Sequence, residues 1–506
     1  MSSAVLIVGA GPVGLALACE LLRRDVDVRV IDRSRTPVAQ SKAIIVWPRT
    51  LELLAATGVA DEMADTGHRL AGVRFHADGS ALGTVDVAGL TDTRFNHVLM
   101  LPQQETERIL QNRHAELGGK VEWGVELVEL RQSGAYAEAV LSDRDGRQET
   151  VRVPWLVGAD GAHSRVRKLL GVEYAVHTPD MTFAIADAPV TGSVDDTHLH
   201  YCYSAHGALG VGPLGGGLFR FAVSAEPGRQ PDRELFQAAL DQRAGGWGTV
   251  GDPKWTALFQ VRCATAERFR AGRVFLAGDA AHVVSPAGGQ GLNTGFHDAA
   301  NLGWKLAGVV HGLLEERVLD SYHTERHAAV RRISTITDKQ TRWGLLTDPR
   351  KVFARNLLTR LADASGLLQR VTAPMLSQTD LTYGERSTAD LLRHPVVRAG
   401  GRLPYLADEC GSGGGPDSAL PAVLLSPGRT AGTSWARIRA ALPPGIGVRE
   451  LGRRRGTAAG RLAALLGPEP RALLVRPDGH VLATATGDSP GPLLHALRSL
   501  ITVEGR

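Results

Sequence analysis

The sequence predicts an α/β protein in which a parallel sheet flanked by helices carries an inserted antiparallel sheet and is followed by a small C-terminal α/β domain. A β-branched apolar run, a glycine loop and a helical pattern open the chain. Alternating apolar and polar residues occupy its middle, and another apolar strand with a glycine loop follows at residues 273–291. Short apolar runs are typical of buried parallel strands, whereas alternation of apolar and polar residues is typical of antiparallel strands. The sequence pattern therefore distinguishes the two sheets.

Length and composition fit a multidomain globular protein. With 506 residues the chain is too long for one hydrophobic core, so two or three domains are expected. Its 43% apolar and 22% charged residues exclude a disordered or fibrous protein, and its net charge of +4 is small for this length. We interpret the run Arg453–Arg455 as a solvated surface and predict no nucleic-acid partner.

The cysteines and the N-terminus predict a cytoplasmic protein. Cys19, Cys202, Cys263 and Cys410 are scattered, and no pair has zinc-ligand or CxxC spacing, so we expect neither a metal nor a disulfide. The N-terminus lacks the basic region of a signal peptide. No segment approaches the roughly 20 apolar residues that span a bilayer, so no membrane partner is predicted.

The first glycine loop has the pattern of a dinucleotide pyrophosphate site. The strand Ala4–Val8 is followed by GAGPVG and the helical pattern LALACELLRR, and a second strand ends at Asp32. Gly9 permits the tight turn, Gly11 lets a pyrophosphate approach the backbone, and Gly14 lets the helix pack on the strand. The helix N-terminus offers free N–H groups to the phosphates. This combination predicts a Rossmann-like domain with a bound nucleotide.

Asp32 addresses the nucleotide sugar. Its carboxylate can accept hydrogen bonds from both ribose hydroxyls and would repel a 2′-phosphate, which argues against NADP as the resident ligand. The loop alone does not separate NAD from FAD. The residues predicted to contact the dinucleotide here are Gly9, Gly11, Pro12, Val13, Gly14, Asp32 and Arg33.

Three predicted strands end in glycine-bearing loops, at residues 9–14, 158–161 and 278–291. Ligands of open α/β sheets bind at the carboxyl ends of the strands, so all three loops can meet one elongated ligand. Between the last two loops, residues 176–262 show alternating strands and turns, and we expect no long helix there.

The chain is predicted to divide at composition changes, the last being a proline- and glycine-rich stretch near residues 395–415. The predicted regions are the dinucleotide domain at 1–175, of which 70–100 contributes to the inserted domain; the inserted β-sheet domain at 176–265; the return to the first domain and a helical region at 266–395; and the C-terminal domain at 400–506.

Three segments in this order resemble the single-component, class A FAD-dependent aromatic hydroxylases, relatives of para-hydroxybenzoate hydroxylase and phenol hydroxylase. They are GAGPVG with Asp32, GADGAHSRVR at residues 158–167 and GDAAHVVSPAGGQGLN at residues 278–293. Order and spacing match along residues 1–310. The C-terminal region resembles the thioredoxin-like domain of the phenol-hydroxylase branch, which includes bacterial polyketide hydroxylases, but it lacks CxxC.

The resemblance implies FAD as the bound cofactor, NAD(P)H as a transient co-substrate and O2 as the oxidant. The implied activity is hydroxylation of an aromatic, polycyclic polyketide-type substrate through a flavin C4a-hydroperoxide. A Baeyer–Villiger monooxygenase, a flavin-dependent dehydrogenase and a non-enzymatic FAD-binding scaffold are the alternatives. We expect a monomer or a homodimer.

Family positions place the rest of the cofactor on the later loops. Asp279 would bind the ribityl hydroxyls, with a turn-capping role as the alternative. Pro286, Gly288 and Gly289 would line the isoalloxazine ring, and the N–H groups that begin the next helix would face its pyrimidine edge. The cofactor-binding residues implied outside the first loop are Lys42, Gln103, Asp160, Gly278, Asp279, Pro286, Gly289, Gly291, Leu292 and Asn293.

Some positions fit the family less closely. Lys42 stands where arginine is usual, and lysine keeps the charge but lacks the planar fork. Gln103 is followed by Gln104, so the assignment could shift by one residue. Arg167 belongs either to the second motif or to a helix surface. Arg49, in PRTLELL, matches the family.

No catalytic side chain is assigned, because the flavin carries the chemistry. His282 could either fix its loop or act on substrate. Five residues of the inserted sheet are candidate bases, although each is more simply explained as an ordinary strand residue: Tyr201, Tyr203, His198, His200 and His206. Six aromatic residues are candidate pocket lining, with a core position as the commoner alternative: Phe75, Phe95, Phe183, Phe219, Phe221 and Trp247.

Overall fold

The computed structural model describes residues 3–37, 43–177, 181–226, 228–384, 397–406, 418–428, 434–452 and 457–501. Lys42, Cys410 and Arg453–Arg455 lie outside these ranges, as does most of the predicted boundary stretch.

The chain up to residue 177 alternates short strands and helices. The strands are β1 Val5–Val8, β2 Val28–Asp32, β3 Ile45–Val46, β4 His68–Leu70, β5 Gly72–Ala77, β6 Ser80–Asp86, β7 Val98–Met100, β8 Val121–Trp123, β9 Glu126–Gln132, β10 Ala137–Ser142, β11 Gln148–Val153, β12 Trp155–Gly158 and β13 Tyr174–Val176. The helices are α1 Pro12–Leu22, α2 Pro48–Ala55, α3 Ala60–Thr66, α4 Gln103–Glu116 and α5 Arg165–Leu169.

Strands dominate the middle of the chain, and helices follow them. The strands are β14 Met181–Gly192, β15 His198–Ser204, β16 Gly207–Gly215, β17 Leu218–Ser224, β18 Gly248–Val250, β19 Trp255–Val261, β20 Ala264–Ala266, β21 Arg270–Ala271, β22 Val274–Leu276 and β23 His282–Val283. The helices are α6 Arg233–Ala244, α7 Gly291–Val310, α8 Asp320–Gly344, α9 Pro349–Ala364 and α10 Leu367–Leu376.

The C-terminal region is a small mixed sheet with helices. Its elements are β24 Ala422–Ser426, α11 Ala436–Ala441, β25 Val448–Glu450, α12 Ala458–Leu466, β26 Arg471–Val475, β27 Val481–Thr486 and α13 Gly491–Arg498. The strand order is β25-β24-β26-β27, with β24 and β25 parallel and the other pairs antiparallel.

The main sheet has the order β21-β22-β12-β1-β2-β8 and is parallel except at β21. Every residue of β1 is buried, because β1 is paired on both edges and covered on both faces. α1 begins with Pro12, which is favourable there because the first helical N–H has no partner within the helix. This sheet brings the carboxyl ends of β1, β12 and β22 side by side.

The inserted sheet has the order β18-β14-β17-β16-β15-β5-β6, with β19 also paired to β14. β5 and β6 come from the first region of the chain, and β5 lies parallel to β15. One face of the sheet packs against α6 in a core that contains Phe219, Phe221 and Phe236. The opposite face, called the front face here, packs through Val73 and Leu199 in a cluster with Met100 of β7 and Leu376 of α10.

The expectation of no long helix between residues 176 and 262 is wrong, because α6 lies there. Its capping signals are present in the sequence: the Asp232 carboxylate accepts a hydrogen bond from the Leu235 N–H, and Gly245 ends the helix at φ +79°. These local signals were outweighed by the alternating pattern on either side. None of the helices in the described part of the chain is long and apolar enough to cross a membrane.

Buried ion pairs join the C-terminal region to the rest of the molecule. Arg402 pairs with both Glu52 of α2 and Asp92. Arg476 pairs with Glu325 of α8, with 2.7 Å between Nη1 and Oε1. Removing any one of these three carboxylates would deprive a buried guanidinium of a partner, so these pairs strongly favour this one arrangement of the interface.

Candidate cofactor and substrate site

In the first glycine loop, two of the three glycines leave no room for a side chain, and the third faces open space. Gly9 has φ +111°, and a Cβ there would lie 2.3 Å from the Ala159 carbonyl oxygen. A Cβ on Gly14 would lie 2.0 Å from the Gly9 oxygen, whereas a Cβ on Gly11 would meet no described atom within 4 Å. Gly9 and Gly14 are therefore required by packing. Gly11 instead faces open space at the N-terminus of α1, where no described side chain caps the helix.

Asp32 and its neighbours shape the ribose end of this space. The Asp32 carboxylate accepts hydrogen bonds from the N–H groups of Ala10 (2.8 Å) and Ser34 (2.7 Å) and remains partly exposed. Arg33 is exposed. The two backbone bonds fix the carboxylate beside the loop while its remaining lone pairs stay available to a ligand.

Gln103 begins α4 beside this end of the site, while Gln104 is exposed. The Gln103 Nε2 donates to Glu107 at 2.8 Å, and its Oε1 accepts from the Ala43 N–H at 3.4 Å. Burial raises the pKa of Glu107, and the nearby charge of Asp32 raises it further. These two bonds fix the orientation of the Gln103 amide, and its contact with a cofactor stays a prediction.

The second loop braces the late loop. The Asp160 carboxylate accepts from the Arg165 and Val166 N–H groups (2.6 and 3.1 Å), so it caps the start of α5. Arg167 is buried, and its guanidinium donates to the Ala280 carbonyl at 2.8 Å. The alternative that Arg167 is a helix-surface residue is wrong. It connects the second motif to the third.

The third loop begins at Gly278 and is fixed by a buried charge cluster. Asp298 of α7 accepts from the Gly278 N–H (3.0 Å), from His282 (2.6 Å) and from Arg326 of α8 (2.8 Å). Burial would raise the pKa of Asp298, but His282 and Arg326 outweigh it and hold that pKa below its usual range. His282 therefore fixes the loop. Asp279, next to Gly278, is exposed.

The turn Pro286–Gly289 is supported from behind by side-chain hydrogen bonds. Trp47 Nε1 donates to the Gly288 carbonyl at 2.9 Å. Asn293 Nδ2 donates to the carbonyls of Gly289 and Ile45, both at 2.8 Å, and its Oδ1 accepts from the Trp47 N–H. Gly288 and Gly289 both have positive φ, which favours glycine.

α7 starts directly after this turn. Gly291 is its first residue, and the first helical hydrogen bond runs from the Thr294 N–H to the Gln290 carbonyl. The N–H groups of Gly291, Leu292 and Asn293 therefore precede the helical ladder and carry the partial positive charge of the helix N-terminus. A site that develops negative charge at this position would be stabilised.

A small cleft lies beside Gln290, between α8 and the end of α10 with the segment that follows it. Gln290 donates to the Gly288 and Leu376 carbonyls, and Gln378, at φ +57°, donates to the Gln290 oxygen. The cleft thus borders the same turn.

An aromatic strip on the front face of the inserted sheet approaches the turn. Phe75 and Tyr201 stack with centroids 5.9 Å apart, and Phe75 and Tyr203 with centroids 6.4 Å apart. Burial raises the pKa of Tyr201, and a hydrogen bond with the Gly288 backbone partly offsets this effect. The strip therefore runs along β15 away from Gly288.

The remaining aromatic candidates do not form this strip. Phe219 and Phe221 lie in the core under α6. Phe95 stacks on Tyr405 in the core of the main sheet, and Trp247 packs edge-on against the His76 and His200 rings. These four are structural. Phe183 is half-buried on the front face and stacks on Phe259.

The candidate bases also separate by face. His198 and His200 alternate with Tyr201 and point to the other side of the sheet, where His198 pairs with Asp195 at 3.1 Å. His206 is exposed in the turn after β15. Tyr201 and Tyr203 alone among the five lie on the face that approaches the turn.

Several residues of the site were missed by sequence reasoning. Asp298, Arg326 and Trp47 fix the late loop from distant elements, and Glu107 supports Gln103. The spacing of Gln103 and Glu107, one helical turn apart, was a usable local signal. Nothing local identifies the others, because their partners lie far away in the sequence.

The arrangement fits an FAD molecule. Space is open above Gly11 for the pyrophosphate, and the partly exposed Asp32 and the exposed Asp279 offer carboxylates that could accept from sugar and ribityl hydroxyls. The third loop packs on the first, since a Cβ on Gly278 would lie 3.0 Å from Val13 Cγ2. The class of protein so defined is a dinucleotide-binding flavoprotein with a second sheet beside its third glycine loop.

Comparison with known proteins identifies the family. The sequence model of the FAD binding domain family matches residues 2–337, and the chain belongs to this family. It is 43% identical over 328 residues to 6-methylpretetramide 4-monooxygenase of Streptomyces rimosus, a match covering 64% of this chain and 58% of that protein. It is 33% identical to 12-dehydrotetracycline 5-monooxygenase/anhydrotetracycline 6-monooxygenase of Streptomyces rimosus subsp. rimosus, over 96% of both chains.

Solved structures agree. The anhydrotetracycline hydroxylase OxyS from Streptomyces rimosus superposes with a TM-score of 0.76 at 31% identity, covering 99% of both chains. The chain is therefore a member of the FAD-dependent aromatic hydroxylases and a monooxygenase. The resemblance inferred from the three motifs is confirmed, and so is FAD as the cofactor.

Proposed function

We propose that the protein hydroxylates a polycyclic aromatic polyketide with consumption of NAD(P)H and O2. The observation that carries the proposal is the aromatic strip Phe75–Tyr201–Tyr203, which starts at the Gly288 turn and offers a long flat surface. Planar fused rings stack favourably on such a surface. The tetracycline-type names of the relatives support the same substrate class.

The balanced reaction takes substrate, O2, NAD(P)H and a proton to hydroxylated substrate, NAD(P)⁺ and water. Bound FAD supplies the transfer of two electrons and the activation of oxygen. The residues of the first loop would hold the pyrophosphate, Asp32 the ribose and Asp279 the ribityl chain. Pro286, Gly288 and Gly289 would lie against the reacting ring.

The protein's own contribution is positioning and electrostatics. The N-terminus of α7 would stabilise negative charge on the reduced ring, and the buried cluster around Asp298 would keep the loop in place. The front face of the inserted sheet would hold the substrate and exclude water. Tyr201, hydrogen-bonded at Gly288, is the side chain nearest to the turn that could exchange a proton with a phenol.

We infer the domain division from the same observations. Residues 1–175 and 266–395 would form the FAD-binding unit, with residues 176–265 and the strands within 70–100 as the substrate domain. The β-α-β-α-β-β-α order of the C-terminal region, with its sheet order β25-β24-β26-β27, supports a thioredoxin-like domain. The buried thiols of Cys19, Cys202 and Cys263 fit a protein of the reducing cytoplasm.

The test starts from the purified protein. Denaturation should release FAD, and polycyclic hydroxyquinones should stimulate NAD(P)H oxidation together with incorporation of labelled oxygen from O2 into product. Label in a ring-expanded ester would instead indicate Baeyer–Villiger oxygenation. Substrate oxidation without label would indicate a dehydrogenase, and substrate-independent NAD(P)H oxidation would contradict the proposal.

A further inference from the structure

Arg355 of α9 is a buried arginine that forms no ion pair in the described part of the chain. It is 2% exposed; its Nη1 donates to the Trp343 carbonyl (3.1 Å) and its Nε to the Asn356 side chain (2.9 Å). Its Nη2 has no hydrogen-bond partner among the described residues. A buried guanidinium that lacks a carboxylate is unfavourable unless something else neutralises it.

Several other buried arginines of this molecule have carboxylate partners. Arg326 pairs with Asp298, and Arg402 pairs with two carboxylates. Burial lowers the pKa of Arg355, and the nearby Tyr203 and Asp78 oppose that effect without forming an ion pair with it. The Nε of the buried Arg243 also lacks a hydrogen-bond partner, but Arg243 belongs to α6, which packs on the face of the inserted sheet opposite to Tyr203; Arg355 has its unpaired nitrogen beside Tyr203 itself.

That position is the far end of the aromatic strip. The guanidinium carbon lies 5.3 Å from the centroid of the Tyr203 ring. Tyr203 follows Tyr201 by two residues on β15, a distance of roughly 6–7 Å along a strand. Gly344, at the end of α8, closes the strip beside Tyr203, because a Cβ there would lie 2.6 Å from the ring. The strip thus leads from the Gly288 turn to one cation that has no carboxylate partner among the described residues.

We propose that Arg355 determines substrate specificity by binding an ionised oxygen, a phenolate or an enolate, at the end of the substrate remote from the Pro286–Gly289 turn. This inference rests on the proposed function, because it names the substrate class of that site. A guanidinium forms charge-assisted hydrogen bonds to such oxygens, and the Nη2 of Arg355 is the nitrogen left to donate one. Fused phenols and enolised diketones carry this charge without a carboxylate.

The proposal predicts a length requirement as well as a charge requirement. A substrate must cover Tyr201 and Tyr203 to reach from the turn to Arg355. A single phenol ring bound at the turn would leave the guanidinium unpaired, and a neutral polycycle would bury it without compensation. Extended, acidic polycycles should therefore be preferred over both.

The experiment measures binding to the FAD-loaded protein by the change in flavin absorbance, with alizarin, an acidic hydroxyanthraquinone, and its neutral dimethyl ether as probes. Arg355→Gln should weaken alizarin binding by about 100-fold and the ether by less than about threefold, since only alizarin loses a charge-assisted contact. Arg355→Lys should recover about tenfold of the loss. Arg360→Gln, an exposed arginine of the same helix, is the matched control and should change neither.

A second measurement uses only the wild-type protein. Alizarin binding should strengthen as pH rises through ionisation of its phenol, while binding of the ether should stay constant. Equal losses for both probes in Arg355→Gln, or alizarin binding without any dependence on ionisation, would overturn the proposal. If Arg355 governs binding but no labelled product forms, the proposed function fails and this inference stands. Labelled product together with unchanged Arg355→Gln binding would instead support the proposed function and contradict this inference.

Discussion

The first and the third glycine loops lie against each other but are built differently. The first is held by its own backbone: Gly9 and Gly14 are required because a Cβ at either would clash with a carbonyl oxygen. The third is held by side chains from elsewhere, among them Asp298, Arg326 and Asn293. The backbone-built loop suits an invariant diphosphate, and the side-chain-built loop suits a reacting ring whose surroundings must be tuned.

This difference determines which substitutions should damage folding and which should damage only binding. In the third loop the largest effects should come from residues that never contact the ligand. In the first loop, Gly9 should be needed for the fold and Gly11, two residues on, for the ligand site.

Asp298→Ala should have the largest effect. It leaves Arg326, which is fully buried, without its carboxylate and releases the Gly278 N–H, so the free energy of unfolding should fall by about 3–5 kcal/mol. Chemical denaturation measures this change. Asp320→Ala, which breaks an exposed pair with Arg270, should cost at most about 1 kcal/mol. A loss for Asp298→Ala as small as that control would show that the third loop is not held by its charge cluster.

Gly9→Ala should come next, and Gly11→Ala is its matched control. Alanine at position 9 combines positive φ with a backbone clash, for which about 2–4 kcal/mol of destabilisation is expected. Alanine at position 11 should leave stability unchanged and weaken FAD binding, because its methyl group enters the open space. Thermal unfolding of the apoprotein and FAD titration separate the two effects. Equal destabilisation by both variants would contradict the distinction.

Asn293→Ala should have an intermediate effect. It removes three buried hydrogen bonds and leaves the Trp47 N–H unsatisfied, so about 1–3 kcal/mol of stability should be lost. The flavin absorption spectrum should shift as well, since the Gly289 carbonyl loses its support. Asn96→Ala, at an exposed asparagine, is the comparison. An unchanged spectrum in a destabilised Asn293→Ala protein would mean that Gly289 does not face the ring.

Asp279→Ala should have the smallest effect on folding, within about 0.5 kcal/mol, because the side chain is exposed. FAD affinity should nevertheless fall severely through the loss of bonds to the ribityl hydroxyls. Asp65→Ala, an exposed acid on α3, should change neither quantity. Normal FAD retention by Asp279→Ala would place the ribityl chain elsewhere.

The same contrast explains what the sequence could predict. The roles of Gly9, Gly11 and Gly14 follow from local geometry, so the first loop was predictable in detail. The partners of Gly278 and Gly289 come from α7, α8 and the segment before α2, and no local pattern shows that these elements meet there. Chain order located the third loop, but tertiary contacts determine how it is held.

The inserted sheet shows a second limit. Alternation separates Tyr201 and Tyr203 from His200, but it does not say which face turns to the cofactor. Phe219 and Phe221 have the same strand periodicity and lie in the opposite core. α6 was missed because neighbouring strands dominated the pattern. Arg355 lies in the region 266–395, which the sequence predicted as helical without bounds for single helices. Its place beside Tyr203 and its unpaired Nη2 are visible only in the folded structure.

The strand order of the main sheet also has a consequence for synthesis. β1 pairs locally with β2, but its other neighbour is β12, and β12 in turn needs β22, which ends at Leu276. One edge of β1, and later one edge of β12, therefore stays unpaired in the nascent chain until more than half of the protein has left the ribosome. Unpaired parallel strands of this kind are prone to aggregate. We expect the yield of folded protein to depend on chaperones during translation more than on the stability of the finished molecule.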